Sequence, residues 1–174
     1  MPSTICFVED EDALNPQILM ARDPHRFPGC QVRVFEGLDE AVAWCNKERQ
    51  AALFVFDSRM YLSEEMRAAL DGALRQRNTC AKNILMEDDP EVGQDVLTGA
   101  VGTLLVKNLC PDCRIIVVSA FLDKIEGARR KNDALNQLLE KTVQVLLAKS
   151  DPSALTQAIG SQLFQMGWRG EGTA

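Results

Sequence analysis

Leu53-Phe54-Val55-Phe56-Asp57 is a run of four large apolar residues closed by a carboxylate. Two aromatic residues and a β-branched one, with no polar interruption, suit a strand buried on both faces, as in the middle of a parallel sheet. A strand that ends in Asp sets that carboxylate at the C-terminal edge of the sheet, where open α/β folds bind their ligands. Asp57 also has a plainer reading, as the start of a loop or the cap of the next helix. What separates the two readings is whether other strands bring matching groups to the same edge.

Working outward, Thr4-Ile5-Cys6-Phe7-Val8 is a second short apolar run, followed at once by Glu9-Asp10-Glu11-Asp12. Arg114-Ile115-Ile116-Val117-Val118-Ser119 is the most apolar run and ends in a hydroxyl; Val143 to Lys149 is another and ends in an ammonium group. Gln31-Val32-Arg33-Val34-Phe35 alternates polar and apolar residues, as an edge strand does. Helical spacing appears at Leu38 to Arg49, at Ser63 to Gln76 with a serine cap and early acids, at Gly127 to Glu140, and from Asp151-Pro152-Ser153 onward. Asn15-Pro16 and Asp23-Pro24 restrict any helix between them to a short one, Gln17 to Arg22. The segment from Arg77 to Asp112 is longer than a simple helix-to-strand connection. It reads as an inserted helical element, with Val92 to Asn108 helical but loosened by Gly93, Gly99 and Gly102. The tail from Gly167 reads as frayed. Strand and helix alternate, with five strands in all. That pattern predicts an α/β fold, a parallel sheet covered on both faces and joined by right-handed crossovers. No repeat and no second domain is visible, so residues 1–174 read as one domain.

Composition narrows the function. The chain of 174 residues is 46% hydrophobic and 25% charged, with a net charge of −6. An acidic chain of this kind argues against a nucleic-acid surface, which needs a basic patch. No run is long and apolar enough to span a bilayer, and Met1-Pro2-Ser3-Thr4 does not begin a signal peptide. The expected location is cytoplasmic, with the six cysteines as thiols. Cys110-Pro111-Asp112-Cys113 is a lone CxxC, too few ligands for a closed zinc site, and reads as a turn.

Four strands therefore end in polar groups: Glu9 and Asp10, Asp57, Ser119 and Lys149. In a parallel sheet all four ends share one edge. Clustered carboxylates repel one another, and a hard divalent cation relieves this; Mg²⁺ takes oxygen ligands of this kind. A carboxylate beside Mg²⁺, a hydroxyl and a lysine can accept a phosphoryl group, since the cations offset the charge on the transferring oxygens.

With Phe7-Val8-Glu9-Asp10, Phe56-Asp57-Ser58-Arg59-Met60, Val118-Ser119-Ala120, and Lys149 followed by Asp151-Pro152-Ser153-Ala154-Leu155, in that order, the chain resembles the CheY-like receiver domains of two-component response regulators. The resemblance implies a flavodoxin-like doubly wound sheet of order 2-1-3-4-5. It implies Asp57 as phosphoacceptor and Mg²⁺ held by Glu9, Asp10, Asp57 and the backbone carbonyl of Arg59. Ser119 and Lys149 would sense the phosphoryl group. It further implies a histidine kinase or phosphotransfer protein as donor and a downstream protein, or a second copy of the chain, as listener. Such a domain is a switch, not an enzyme, beyond its own phosphorylation and dephosphorylation.

Three positions depart from the family pattern. Ser150 stands where a proline in a cis bond follows the lysine. Leu146 stands at the switch position, where the family has an aromatic residue. Tyr61 stands where proline follows Met60. Together with the insertion at 77–112, these departures motivate the alternative of a pseudo-receiver, a protein-interaction or dimerisation module that works without phosphorylation. An α/β phosphohydrolase is disfavoured, because no second carboxylate follows shortly after Asp57 to act as general acid.

Overall fold

The computed structural model describes residues 4–9, 23, 25–48, 50–93, 95–150 and 152–169. Its centre is a parallel sheet of strands β1 (Thr4–Val8), β2 (Gln31–Phe35), β3 (Ala52–Asp57), β4 (Arg114–Ser119) and β5 (Val145–Ala148), in the order β2-β1-β3-β4-β5. This is the expected 2-1-3-4-5 arrangement. The apolar runs occupy the middle: every residue of β1 and β3 is buried, whereas β2 and β5 lie at the edges and are partly exposed.

Period-two alternation sorts each central strand between two cores. Cys6, Val8, Phe54, Phe56, Ile115 and Val117 face one side, and Ile5, Phe7, Leu53, Val55, Ile116 and Val118 face the other. The second core is closed by Leu155, Ile159 and Leu163. The first lies under α1 (Leu38–Glu48), α2 (Glu64–Arg75), α3 (Ala81–Leu85), α4 (Thr98–Leu109), α5 (Leu122–Lys131) and α6 (Asp133–Thr142). The helix carrying Leu155 to Leu163 is α7 (Pro152–Gln165).

The segment between β3 and β4 makes two layers of helix. Helix α4 packs directly on β3 and β4, with α1 and α6 beside it and α2 and α3 outside it. Every residue from Thr98 to Val106 is buried, which is why this helix is apolar and small all round instead of amphipathic. The crossover from β3 to β4 that covers the sheet is thus α4. The outer helices α2 and α3 run from Glu64 to Leu85, and α3 and α4 both fall within 77–112.

Several local expectations need correction. The helix expected from Val92 begins only at Thr98. Before it, the Asp89 carboxylate accepts the Glu91 N–H at 2.8 Å and Gly93 sits at φ +81°, and both hold the chain out of helical geometry. The single helix expected at Gly127 to Glu140 is two, divided at Asn132. That residue is extended, with φ −135° and ψ 98°, and its side chain caps α6 by accepting the Leu135 N–H at 3.0 Å. Within the tail, only residues 167–169 are described; there the Trp168 indole N–H donates to the Pro28 carbonyl at 3.1 Å and the Trp168 ring meets Phe27 edge-on at 6.1 Å. The short helix at Gln17 to Arg22 lies outside the described residues, as does the chain from 170 onward.

Candidate functional site

Register puts the candidate residues side by side. Val8 pairs with Phe56, so Glu9, the next residue on β1, falls beside Asp57 at the end of β3. Asp57 pairs with Val118, and Ser119 pairs with Ala148, so Ser119 and Lys149 follow at the same rim. The Lys149 N–H donates to the Ser119 carbonyl at 2.9 Å, which extends the ladder one residue beyond β5. From there the Lys149 side chain reaches back over β4, two strand spacings or roughly 10 Å, and its Nζ pairs with Asp57 Oδ2. Asp57 and Glu9 are 4% and 7% exposed, so both carboxylates are withdrawn from bulk water at the rim. A buried carboxylate persists as an ion only when paired or coordinated, and Lys149 gives Asp57 that partner.

The loop after Asp57 is held tightly. The Arg59 N–H donates to Asp57 Oδ1 at 3.1 Å. The Ser58 N–H donates to the Val118 carbonyl at 2.9 Å, and the Ser58 carbonyl accepts the Gly99 N–H at 2.8 Å. The Ser58 hydroxyl, fully buried, donates to Ser119 Oγ at 2.8 Å, and Ser119 Oγ also accepts the Phe121 N–H at 2.8 Å. Ser119 is therefore oriented by two donors, and its own O–H remains to donate.

Glu9, Asp57, Ser119 and Lys149 thus stand at one rim, with the Arg59 backbone beside Asp57. Asp10 lies outside the described residues. Leu146, the switch position, pairs with Val117 inside the β4–β5 ladder and is half-buried against the first core. It borders an open cavity of about 300 Å³ lined by apolar Ala100, Val117, Leu139 and Val143 and by polar Arg129, Glu140 and Gln144. The Lys149–Ser150 bond is trans, and the exposed Tyr61 projects from the loop after Met60.

Does the rim suit a hard cation? Among the described residues it offers oxygens, two adjacent buried carboxylates and a loop carbonyl, which is the chemistry that Mg²⁺ selects. Among the described residues no three His, Cys, Asp or Glu side chains converge as a metal cluster; the set needs the Arg59 carbonyl, and Asp10 for a third carboxylate. The CxxC cysteines do not supply one. Cys110 and Cys113 are buried free thiols on the cores, not ligands at the rim.

No family model matches the sequence, and no curated protein matches it. Solved structures do. RcsB, a response regulator from Salmonella typhimurium, superposes with a TM-score of 0.55 at 13% identity, covering 95% of this chain and 62% of that one. A LuxR-family two-component response regulator from Aurantimonas sp. SI85-9A1 gives 0.53 at 17% identity, covering 95% and 87%. The N-terminal domain of a response regulator/sensory box/GGDEF protein from Carboxydothermus hydrogenoformans gives 0.53 at 12% identity, covering 96% and 100%. The chain has the receiver fold. At these identities the likeness is one of fold, and the rim of this receiver fold has to be read from its own residues.

Three of those residues escape a reading from sequence. Ser58 is one, buried next to Asp57 and bonded to Ser119. Thr98 and Gly99 are the others, at the start of α4. The Met60 N–H donates to Thr98 Oγ1 at 2.9 Å, and a Cβ at Gly99 would stand 1.9 Å from the Asp57 carbonyl oxygen. The only trace they leave in sequence is a Thr-Gly pair inside a helical run.

Proposed function

We propose that this receiver fold works as a phosphorylation switch, with Asp57 accepting a phosphoryl group from a histidine kinase or phosphotransfer protein. The observation that carries the reading is the Lys149–Asp57 ion pair formed across three strands, with Glu9 beside it on the ladder. A buried acid, a neighbouring acid and an oriented hydroxyl here share the edge of the sheet where open α/β folds bind their ligands.

In the transfer, an Asp57 carboxylate oxygen attacks the phosphorus of the donor's phosphohistidine. A P–O bond forms as the P–N bond breaks, and the electron pair leaves with the imidazole, which takes a proton from water. Lys149 moves from the carboxylate to the new phosphoryl oxygens, and Ser119 donates its O–H to one of them. Glu9, Asp10, Asp57 and the Arg59 carbonyl would hold Mg²⁺, which supplies positive charge for those oxygens. Hydrolysis of the acyl phosphate resets the switch, and no other catalysis is assigned. The message passes in the cytoplasm to a downstream protein or a second copy of the chain. No helix among the described residues is long and apolar enough to cross a membrane.

The test is chemical trapping. Incubation with acetyl phosphate and Mg²⁺, then borohydride reduction, should convert the Asp57 side chain to an alcohol seen by peptide mass spectrometry. Omitting Mg²⁺ or using Asp57→Asn should abolish the product. No product in the wild-type protein, with partner binding unchanged in Asp57→Asn, would point to a phosphorylation-independent interaction module instead.

A further inference from the structure

Within the loop Ser58–Met60, nearly every backbone polar group has a protein partner. Ser58 uses both of its groups, the Arg59 N–H is held by Asp57, and the Met60 N–H and carbonyl both go to Thr98 Oγ1, at 2.9 and 2.5 Å. The Thr98 hydroxyl also lies 2.9 Å from the Asp95 carbonyl. Among the described residues, the Arg59 carbonyl is the one backbone group of this loop that no hydrogen bond uses.

Its direction is fixed nonetheless. The Arg59–Met60 peptide is planar and trans, so its C=O and N–H point opposite ways. Thr98 is 1% exposed and Met60 is 1% exposed. Holding the Met60 N–H on that buried hydroxyl therefore turns the Arg59 carbonyl outward, away from α4. A carbonyl that is oriented from behind and unused in front is in the state a hard cation requires of a neutral ligand.

We propose that Thr98 is a positioning residue: through the Met60 amide it aims the Arg59 carbonyl as a preformed oxygen ligand for a divalent cation. This inference rests on the reading of the rim as a Mg²⁺ site. It also gives the helix that bears the inserted layer a direct hold on the site. Groups that orient metal ligands from behind typically change metal affinity about 10–100-fold when removed.

Calorimetric titration of the intact protein with Mg²⁺ tests this apart from phosphoryl transfer. Thr98→Val keeps the shape and removes the hydroxyl, and should weaken Mg²⁺ binding by about tenfold or more. Thr98→Ser keeps the hydroxyl and should bind close to wild type. Thr103→Val removes another buried hydroxyl of the same helix, bonded to the Ala100 carbonyl at 2.6 Å; it should lower the melting temperature without changing Mg²⁺ affinity. Should Thr98→Val fail to fold, amide exchange in the wild type decides, with the Met60 N–H expected to be strongly protected without metal. Equal Mg²⁺ affinity in Thr98→Val and wild type, an equal loss in Thr98→Ser, or rapid exchange at Met60 would overturn the positioning role alone. A wild-type protein that binds no Mg²⁺ would overturn it together with the metal-site reading.

Discussion

Gly99 shows how closely the loop after Asp57 is built against its neighbours. Glycine within a helix ordinarily weakens it, and replacement by alanine gains up to about 1 kcal/mol. At Gly99 the sign should reverse, because the added Cβ would meet the Asp57 carbonyl oxygen at 1.9 Å and the backbone there has to shift. Gly99→Ala should lose about 1–3 kcal/mol. Gly72→Ala, exposed on α2 with nothing within 4 Å, should be neutral or gain stability. Urea midpoints of the two variants moving in the same direction would contradict this packing. Lys149 gives a second residue-scale expectation. Lys149→Met leaves the buried Asp57 carboxylate without its cation, at a cost on the order of 3 kcal/mol. Adding Asp57→Asn removes the stranded charge, so the double variant should unfold at higher urea than Lys149→Met alone. A double variant no more stable than the single one would show that the ion pair does not hold this charge in the fold.

At the scale of elements, the break at Asn132 does two jobs. Its side-chain oxygen Oδ1 caps α6 by accepting the Leu135 N–H, and its side-chain Nδ2 donates to the Asn83 carbonyl of α3 at 2.9 Å, joining the outer layer to the β4–β5 connection. Asn132→Ala should cost about 1–2 kcal/mol through the lost cap, and amide exchange in α3 should quicken as well. Unchanged exchange in α3 would leave Asn132 as a cap alone. The strands were legible because uninterrupted apolar runs ending in polar groups have few other homes. The serine cap also placed α2 correctly, with Ser63 Oγ accepting the Met66 N–H at 3.1 Å. Asn132 was not legible, because apolar residues recur across it from Ile125 to Leu139 and periodicity alone registers no turn. Thr98 and Gly99 were hidden for a related reason. Their roles are contacts with a loop about forty residues away in sequence, and helical spacing carries no trace of that.

For the molecule as a whole, the parallel sheet followed from the alternation of strand and helix, while its 2-1-3-4-5 order came only from the receiver resemblance. The cysteines show what the fold does with residues the site does not use. Cys6 and Cys113 are pushed up to about 12 by burial, against an ordinary thiol value of 9.0, even with Arg33 and Lys107 nearby pulling the other way. Cys45 is raised too, by burial first and then by Cys110 beside it. A thiol whose folded pKa exceeds its unfolded one keeps its proton in the native state while the unfolded chain ionises. The stability these thiols contribute is therefore complete below pH 9, and falls between 9.0 and about 12. Each buried thiol adds a slope of up to about 1.4 kcal/mol per pH unit in that window. Urea midpoints of the wild-type protein should accordingly drop as pH rises from roughly 8.5 to 10.5, across the ordinary thiol range. In Cys6→Ala and Cys113→Ala the drop should be shallower, although both variants start from lower stability at neutral pH because each leaves a small cavity. Parallel pH profiles for wild type and the two variants would mean that these sulfurs ionise as readily folded as unfolded, and so are not sealed from water as the packing requires.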